Sequence, residues 1–521
     1  MGSRPEFSHA TPAASPTTEK TFLLAAAAVV VTSAALFYGT GLHPKWWLTW
    51  LAPLPVLLIS PRVARGRAFS MAAVAWFLGS LNMCFYLLTA ISIPIPLVLL
   101  LSIVPSCFFG LGVLLFRRFV LRGDLWKAAL SLPAFWVTYE YLNNVSSPHG
   151  TFPNLGYTQM DFLPVLQVTS VTGIWGITFC LFLLPATIAP VLSQPGTVSQ
   201  KKRLATAAGG FLALVIGWGS WPVMSTPAPE HSVSVGLMAT GVNTTFPHDD
   251  TTALRLLQDY SDKAASLAAR GAQVIVLPEK VALVSDQGTV QVDALYAATS
   301  ARAKASIVVG LDRGTLTKRF NEARLYSPQG TPVTIYDKHH MVPRFEDADQ
   351  PGTTITVLDQ PSGVWGMQIC KDMDFPALSR QYGARGVGLL LVPAWDFTLD
   401  GWLHGRMAVL RGVESGLTIV RAAKQGVLTV SDDRGRILAQ QDAATVPFAS
   451  LIATAPIRHD STLYVRWGDW FAWLNAAGLV TLLFSRARKT RSRVVGPLRV
   501  WRLPRPRPSG RSGGHTPRRS A

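Results

Sequence analysis

Reactive side chains follow three apolar segments that have the composition of buried strands. Glu279 comes directly after VIVLP, Lys338 directly after TIYD, and Cys370 ends the segment VWGMQIC. Catalytic groups in α/β folds are commonly carried at the ends of strands. Each residue taken alone also has a structural interpretation, since Glu279 suits a helix cap, Lys338 a solvated strand end and Cys370 a buried core thiol.

Taken together, these side chains predict covalent catalysis by a cysteine. A thiol with a pKa near 8.5 is only partly ionised at neutral pH, so it needs a carboxylate to accept its proton and an ammonium to stabilise the anion. Glu346, eight residues after Lys338, supplies a second carboxylate. The other cysteines, at positions 84, 107 and 180, lie in long apolar runs, so we expect Cys370 to be unpaired.

Metal ligands and phosphate-binding loops are the other common carriers of chemistry. His339 and His340 adjoin Lys338, but no second His, Cys or Asp cluster in the sequence has zinc-like spacing. The sequence also has no glycine-rich phosphate loop. We therefore expect neither a metal nor another cofactor.

Strands that alternate with helices predict the domain that positions the reactive residues. After Pro229, runs rich in β-branched residues predict buried strands, and helical spacing predicts two helices. The predicted strands cover 232–238, 273–278, 306–310, 364–370, 388–393 and 417–422, the helices cover 252–269 and 404–414, and hairpins pair 321–327 with 333–338 and 428–431 with 437–440. This pattern predicts an α/β domain over residues 230–462.

The rest of the chain has the composition of a membrane protein. Of 521 residues, 49% are hydrophobic and 15% are charged, against about 25% charged in soluble chains. Apolar runs suited to crossing a bilayer lie at 22–40, 45–60, 69–90, 94–116, 128–142, 163–192, 204–222 and 470–484. We expect a polar leader at 1–20, a transmembrane domain of about seven helices at 21–222, and a last transmembrane helix at 468–485.

Positive charge in the short loops predicts the orientation. Lys and Arg occur in loops 61–68, 117–127 and 193–203 and are absent from loops 41–44, 91–93 and 143–162. Because these residues concentrate on the cytoplasmic side, both termini are expected inside and the α/β domain outside. The tail at 486–521 holds 12 Lys and Arg and no Asp or Glu, which favours a cytoplasmic membrane surface over nucleic acid as its partner.

Several motifs resemble a known family. The order Glu, Lys, Cys in the contexts LPEK, YDKHHMVPRFE and ICKDMDFP resembles the nitrilase superfamily of carbon–nitrogen hydrolases, and the segment 394–438 resembles its later half. The fragments LPAFWVTYEYL, NLGYTQ, GIWGITF and RWGDWFAWLN resemble the membrane-bound branch of that superfamily, the apolipoprotein N-acyltransferases. The resemblance covers residues 21–488.

This resemblance implies a multi-span α-helical membrane domain joined to an α/β nitrilase-like α-β-β-α sandwich. It implies that Cys370 is the nucleophile, Glu279 the general base, Lys338 the electrostatic stabiliser, and Glu346 the residue that orients the lysine or relays protons. It further implies substrate contacts from Lys371, Asp372, Trp395 and His404, with the backbone N–H of Lys371 facing the oxyanion.

The implied reaction transfers an acyl chain from a phospholipid to the N-terminal amine of a diacylglyceryl-cysteine apolipoprotein through a cysteine thioester. The implied partners are the phospholipid donor, the diacylated apolipoprotein acceptor and the bilayer, with no nucleic acid. The implied protein is a monomer in the bacterial cytoplasmic (inner) membrane, with its catalytic domain on the periplasmic side. Two alternatives stay open: a membrane-tethered nitrilase-type amidase or hydrolase with another substrate, and a transporter or lipid-binding protein with an inactive nitrilase-like domain.

Overall fold

The computed structural model describes residues 16–193, 197–225, 228–241, 249–315 and 317–485. Most of the predicted polar leader and the whole of the predicted basic tail lie outside these described residues. The membrane helices and the α/β domain belong to one compact unit that extends to Phe484.

Twelve helices form the part of the described chain predicted to be in the membrane. They are α1 Pro16–Gly39, α2 Trp46–Thr49, α3 Leu54–Ile59, α4 Arg65–Ser80, α5 Cys84–Thr89, α6 Ile95–Leu121, α7 Leu125–Ser146, α8 Leu163–Leu166, α9 Thr169–Thr172, α10 Trp175–Ser193, α11 Val198–Met224 and, after the α/β domain, α17 Trp470–Phe484. The interior is built from aromatic side chains, with the rings of Trp76 and Trp136 centred 4.2 Å apart and Phe182 5.4 Å from Trp136.

Five helical stretches in the described residues are long and apolar enough to cross a membrane. These are Glu19–Gly39, Arg65–Thr89, Ile95–Leu121, Trp175–Ser193 and Val198–Met224, while Trp470–Phe484 is a shorter apolar helix. The chain is therefore a multi-pass membrane protein.

Two of the predicted spans differ from the observed helices. The span predicted at 45–60 is wrong, because the chain there forms the short helices α2 and α3, with Pro53 and Pro55 at the start of α3. A proline lacks the backbone N–H that a continuing helix needs. The span predicted at 163–192 is divided into α8, α9 and α10, with Gly173 at φ +66° between the last two.

The described residues of the α/β domain form thirteen strands and five helices. The strands are β1 His231–Ala239, β2 Val274–Val276, β3 Leu283–Val284, β4 Ser306–Gly314, β5 Arg319–Tyr326, β6 Pro332–Asp337, β7 Thr356–Gln360, β8 Gly363–Met367, β9 Leu389–Trp395, β10 Thr418–Lys424, β11 Val427–Ser431, β12 Ile437–Asp442 and β13 Ala449–Ile457. The helices are α12 Asp250–Ala269, α13 Asp286–Ala303, α14 Pro376–Ala384, α15 Gly401–Ser415 and α16 Leu463–Trp467.

The strands form two sheets. One has the order β13-β1-β2-β4-β5-β6, with β3 beside β4, and the other has the order β12-β11-β10-β9-β8-β7. Strands β1, β2 and β4 are parallel neighbours in the first sheet, as β8, β9 and β10 are in the second. Both predicted hairpins are present as the antiparallel pairs β5–β6 and β11–β12.

Alternation along the strands explains why the sheets are packed on both faces. In β2, Val274 and Val276 belong to the core between the sheets, whereas Ile275 packs with Leu257 of α12 and Tyr296 of α13 on the outer side. Successive side chains of a strand point to opposite faces, so a continuous run of apolar residues is buried on both faces of the sheet. Helices α14 and α15 cover the outer face of the second sheet in the same way. The domain is the predicted α-β-β-α sandwich.

Candidate active site

Lys338 is the centre of a buried group of charges between the ends of several strands. It directly follows β6, and its Nζ donates hydrogen bonds to Glu279 Oε1 at 2.8 Å and to Glu346 Oε2 at 2.7 Å. The three residues are only 1%, 2% and 5% exposed, respectively. The structure thus brings together three of the four residues predicted to be catalytic in one hydrogen-bonded cluster.

Asn321 is a member of this cluster that was absent from the sequence prediction. Its Nδ2 donates to Glu279 Oε1 at 2.6 Å and to Glu346 Oε1 at 2.8 Å, and its backbone oxygen accepts from the Lys338 N–H at 2.8 Å. Asn321 lies in β5 and is fully buried. It therefore fixes the spacing of the two carboxylates. The sequence does not distinguish it, because β5 also contains the polar residues Arg319, Glu322 and Arg324.

Lys280 supplies a second buried cation that was also absent from the prediction. Its Nζ lies 3.0 Å from Glu346 Oε1 and 3.6 Å from Asp312, and it forms a close ion pair with Asp349. Its backbone has φ +48°, a left-handed conformation that residues with a Cβ rarely adopt. Glu346 is consequently held by a lysine at each of its two oxygens.

The charges in this cluster set the protonation of its members. Burial alone would raise the pKa of Glu346, but Lys338 and Lys280 outweigh it and lower that pKa to about 2. Burial likewise opposes the charge of Lys338, and the carboxylates of Glu279 and Glu346 keep the lysine pKa well above its ordinary value. Glu346 and Lys338 are therefore both ionised at neutral pH.

Cys370 begins the turn Cys370–Asp374 just beyond β8, in a strained backbone conformation. Its φ is +44°, a region that residues with a Cβ rarely occupy, and Sγ donates to the Trp395 carbonyl oxygen at 3.3 Å. Burial first, and then the charge of Glu279, raises the pKa of the thiol, while Lys338 acts in the opposite direction. The resting sulfur is thus a thiol that needs a base before it can attack.

Asp372 connects the turn that carries Cys370 to the end of β6. Its carboxylate accepts hydrogen bonds from the Tyr336 hydroxyl at 2.7 Å, from the backbone of Ile369 at 3.1 Å and from the backbone of His340 at 2.9 Å. The residue is completely buried. These contacts join the residues that flank Cys370 and Lys338, and the predicted role of Asp372 in substrate binding stays a prediction.

Lys371 points away from the strand ends and toward the membrane domain. Its Nζ lies 3.2 Å from His149 Nδ1 and 3.6 Å from Asp374, and the side chain is buried. Thr151 donates to the backbone oxygen of Asp374 through both its N–H, at 3.0 Å, and its hydroxyl, at 2.8 Å. Residues 147–154, which we name the docking loop, therefore hold the turn of the predicted nucleophile.

Trp395 and His404, the other two residues predicted to contact substrate, each lie beside charged or polar side chains. Trp395 Nε1 donates to Gln425, and Lys424 Nζ lies 3.5 Å from the centre of the Trp395 ring. Burial lowers the pKa of this lysine to about 7. His404 lies with Nδ1 3.1 Å from Asp400, which outweighs the effect of burial and raises the histidine pKa to about 9.

A group of possible metal ligands adjoins the site. Atoms of Asp396, Asp400 and His404 lie within 4.8 Å of one another. Asp396, however, forms a bidentate ion pair with Arg421 at 2.9 and 2.5 Å, and Asp400 accepts from the Tyr86 hydroxyl at 2.5 Å. The carboxylates of Asp396 and Asp400 are thus already bound by the Arg421 guanidinium and the Tyr86 hydroxyl, respectively.

The chain joins a helical membrane domain to an α-β-β-α sandwich that holds a buried Glu-Lys pair beside a cysteine. This combination defines a membrane-bound member of the carbon–nitrogen hydrolase, or nitrilase, superfamily. The family model described as carbon–nitrogen hydrolase matches residues 238–464, and the model described as the apolipoprotein N-acyltransferase N-terminal domain matches residues 20–187. The chain belongs to the apolipoprotein N-acyltransferase family.

Two relatives named apolipoprotein N-acyltransferase agree with this placement. The apolipoprotein N-acyltransferase of Geobacter metallireducens is 26% identical over 497 residues, which cover 85% of this chain and 91% of the relative. That of Thermotoga maritima is 24% identical over 496 residues, covering 86% and 91%. Among solved structures, an amidase from Nesterenkonia sp. is 22% identical with a TM-score of 0.39, covering 48% of this chain and 98% of the amidase.

Proposed function

We propose that the chain transfers an acyl group from a phospholipid to the N-terminal amine of a diacylglyceryl-cysteine apolipoprotein through a thioester on Cys370. The observation that carries this proposal is Lys338 Nζ, held 2.8 Å from Glu279 and 2.7 Å from Glu346 beside the strained cysteine. That arrangement supplies the base, the cation and the nucleophile of acyl transfer. The names of the relatives favour this reaction over hydrolysis of a soluble amide.

In the first half-reaction Glu279 accepts the thiol proton as Sγ attacks the ester carbonyl carbon of the phospholipid. The oxyanion of the tetrahedral intermediate is stabilised by the Lys338 ammonium and the backbone N–H of Lys371, and such donors each lower the barrier by on the order of 3 kcal/mol. The C–O bond then breaks, and Glu279 returns its proton to the departing lysophospholipid. Glu346 holds Lys338 in place throughout.

In the second half-reaction the α-amine of the apolipoprotein attacks the thioester carbonyl carbon. Glu279 accepts a proton from the attacking nitrogen, and the C–S bond breaks to leave an amide on the lipoprotein. The released thiolate takes the proton from Glu279, which restores the resting thiol. The same three side chains therefore serve both steps.

The surroundings of the cluster suit substrates that stay in the membrane. The loop that carries Glu346 contacts the membrane domain, because Arg344 donates to the backbone oxygen of Ser92 at 3.1 Å. On this loop Phe345 is 44% exposed, and its ring centre lies 5.0 Å from that of Phe397. An apolar surface between the membrane helices and the cluster favours acyl chains as substrates.

The orientation and location belong to the same proposal. From the basic loops we infer that the α/β domain faces the periplasmic side of a bacterial cytoplasmic membrane. We further propose that the protein acts as a monomer, as the family resemblance implies. Both proposed substrates are anchored in lipid, so a site fixed to the membrane domain meets them without extracting their chains.

The test is mass spectrometry of the purified full chain after incubation with phosphatidylethanolamine. A mass increase of one acyl group on Cys370 that hydroxylamine removes, and that a diacylglyceryl lipopeptide discharges as its amide, is the expected result. Cys370→Ser should carry no adduct, whereas Cys107→Ser, which removes an exposed thiol of α6, should behave like the unaltered chain. An adduct that yields only free fatty acid in the presence of lipopeptide would instead support the hydrolase alternative.

A further inference from the structure

A groove opens between the first turns of α7 and α11, remote in sequence from the cluster around Lys338. It has a volume of about 690 Å³ and is lined by Trp126 of α7 and by Val198, Lys202, Arg203 and Thr206 of α11, among others. Leu125, Ala129 and Leu204, which adjoin these lining residues in sequence, pack together in a small buried cluster. The lining of the groove therefore combines an aromatic side chain, aliphatic side chains and two basic side chains.

The two basic side chains have no acidic partner in the part of the chain that the structure describes. Lys202 and Arg203 are both exposed. The sequence contains no Asp or Glu from residue 162 to residue 229, and Asp124 at the start of α7 is 3.8 Å from Lys127. An uncompensated pair of cations beside the apolar lining residues Trp126, Val198 and Ala207 is complementary to a ligand with a negative head and an apolar body.

The position of the groove along α11 indicates what that ligand is. Helix α11 runs from Val198 to Met224 and leads at its C-terminal end toward the α/β domain. At about 1.5 Å per residue, Lys202 lies about 33 Å along the helix axis from that end. This distance exceeds the apolar thickness of a bilayer, about 30 Å. Trp126 is 49% exposed, as is typical of aromatic residues at the membrane interface.

An apolar track runs from the groove along the same helix. Ala207, which lines the groove, is followed at helical spacing by Phe211, Leu214 and Trp218, which are 39%, 68% and 45% exposed. Residues three and four apart lie on one face of a helix, so these side chains form a continuous stripe. Its length suits an acyl chain that extends from a head group held in the groove.

We propose that this groove binds one anionic phospholipid, with the phosphate on Lys202 and Arg203 and an acyl chain along the Phe211 stripe. The lipid is held in the leaflet opposite the α/β domain, so it is distinct from the acyl donor. Clusters of Lys and Arg at the ends of membrane helices bind anionic lipid through this combination of charge and apolar contact.

The experiment is native mass spectrometry of the full chain in detergent, with dioleoylphosphatidylglycerol or dioleoylphosphatidylcholine as the probe. The unaltered chain should retain phosphatidylglycerol in preference to phosphatidylcholine. Since each basic residue near the membrane surface contributes about fivefold to anionic lipid affinity, the Lys202→Ala/Arg203→Ala variant should bind phosphatidylglycerol about 30-fold more weakly. The matched control is Arg65→Ala/Arg67→Ala, which removes two exposed charges from the first turn of α4 and should leave retention unchanged.

Three results would overturn the proposal: equal retention of both lipids, an unchanged affinity in the Lys202→Ala/Arg203→Ala variant, or equal losses in that variant and the α4 control. Sodium phosphate at matched concentration distinguishes a lipid from a free anion, since stabilisation by phosphate alone would also contradict a lipid site. Size-exclusion profiles and thermal midpoints verify that each variant is folded. Thioester formation on Cys370 should persist in the groove variant, so failure here and failure of the proposed function give different results.

Discussion

Lys280 Nζ lies 3.0 Å from Oε1 of Glu346, the oxygen that Lys338 does not contact. The Glu346 carboxylate is thus shared by two buried lysines. Lys280 follows the proposed base Glu279 in sequence, and Lys338 lies beside the proposed nucleophile Cys370. This sharing keeps Glu346 ionised. In the proposed reaction it is therefore Glu279 that exchanges a proton with the thiol.

Lys280→Met should weaken both stability and acylation. The change removes one cation from Glu346 and leaves Asp349 and Asp312 with Arg319 as their remaining partner, at 2.9 and 3.5 Å. Breaking a buried ion pair costs about 3–5 kcal/mol. We expect a lower thermal midpoint, a slower thioester formation and an acid limb of the rate profile that moves to higher pH. Lys318→Met, at an exposed position, is the control, and equal profiles for the two variants would contradict the positioning role of Lys280.

Glu346→Gln should change how stability depends on acid. The pKa of Glu346 is lowered from 4.5 to about 2 in the folded chain, so its ionised form contributes stability above pH 4.5 that is lost as the pH falls toward 2. That contribution is on the order of 3 kcal/mol. Thermal midpoints at pH 5 and pH 3 should therefore differ more in the unaltered chain than in Glu346→Gln. Parallel shifts in the two proteins would argue against this assignment, and Glu230→Gln, at an exposed position, should follow the unaltered chain.

Glu279→Gln should slow thioester formation by about 10²- to 10⁴-fold, the usual contribution of a general base. Because the pKa of the Cys370 thiol is raised by burial, the residual rate should increase with pH through the alkaline range as hydroxide replaces the missing carboxylate. Single-turnover mass spectrometry of the acyl adduct at several pH values measures both effects. A variant with an unchanged rate at pH 7 would exclude Glu279 as the base.

Thr151→Val should impair the nucleophile without touching the triad. It removes the 2.8 Å hydrogen bond from the Thr151 hydroxyl to the Asp374 carbonyl and the 2.5 Å contact with Tyr157. We expect thioester formation to fall about tenfold, with a shifted pH profile for iodoacetamide alkylation of Cys370, since one or two buried hydrogen bonds of about 1 kcal/mol each are lost. Thr481→Val removes a hydroxyl that bonds only within its own helix and is the matched control. An alkylation profile identical to that of the control would mean that the docking loop does not position the sulfur.

The strand ends were predictable because their signal is local. A polar residue directly after an apolar β-branched run indicates a strand end, which is how Glu279, Lys338 and Cys370 were identified. Asn321 and Lys280 carry no such signal, since their roles depend on the register of β5 and on a backbone turn at φ +48°. The docking loop was equally hidden, because Thr151 and Asp374 are 223 residues apart.

The elements that were missed share weak patterning. Strand β13 has mostly half-exposed positions without strict alternation, and β7 contains polar residues at its end, so neither resembles a buried strand in sequence. Both are found because they pair with strands that are themselves well defined, β1 and β8. Hydropathy likewise overestimated the span at 45–60, since it does not register that prolines interrupt a helix.

The docking loop of the membrane domain contacts the turn of Cys370 in the α/β domain, so the position of this turn depends on both domains. Gly150 adopts φ +55° so that the loop can pass close to the Asp374 carbonyl, where a Cβ would collide. A fragment that begins at residue 230 would keep Cys370, Glu279 and Lys338 but lose the hydrogen bonds from Thr151 that hold the turn of Cys370. A fusion of this α/β domain to a different membrane domain would therefore need to include residues 147–154.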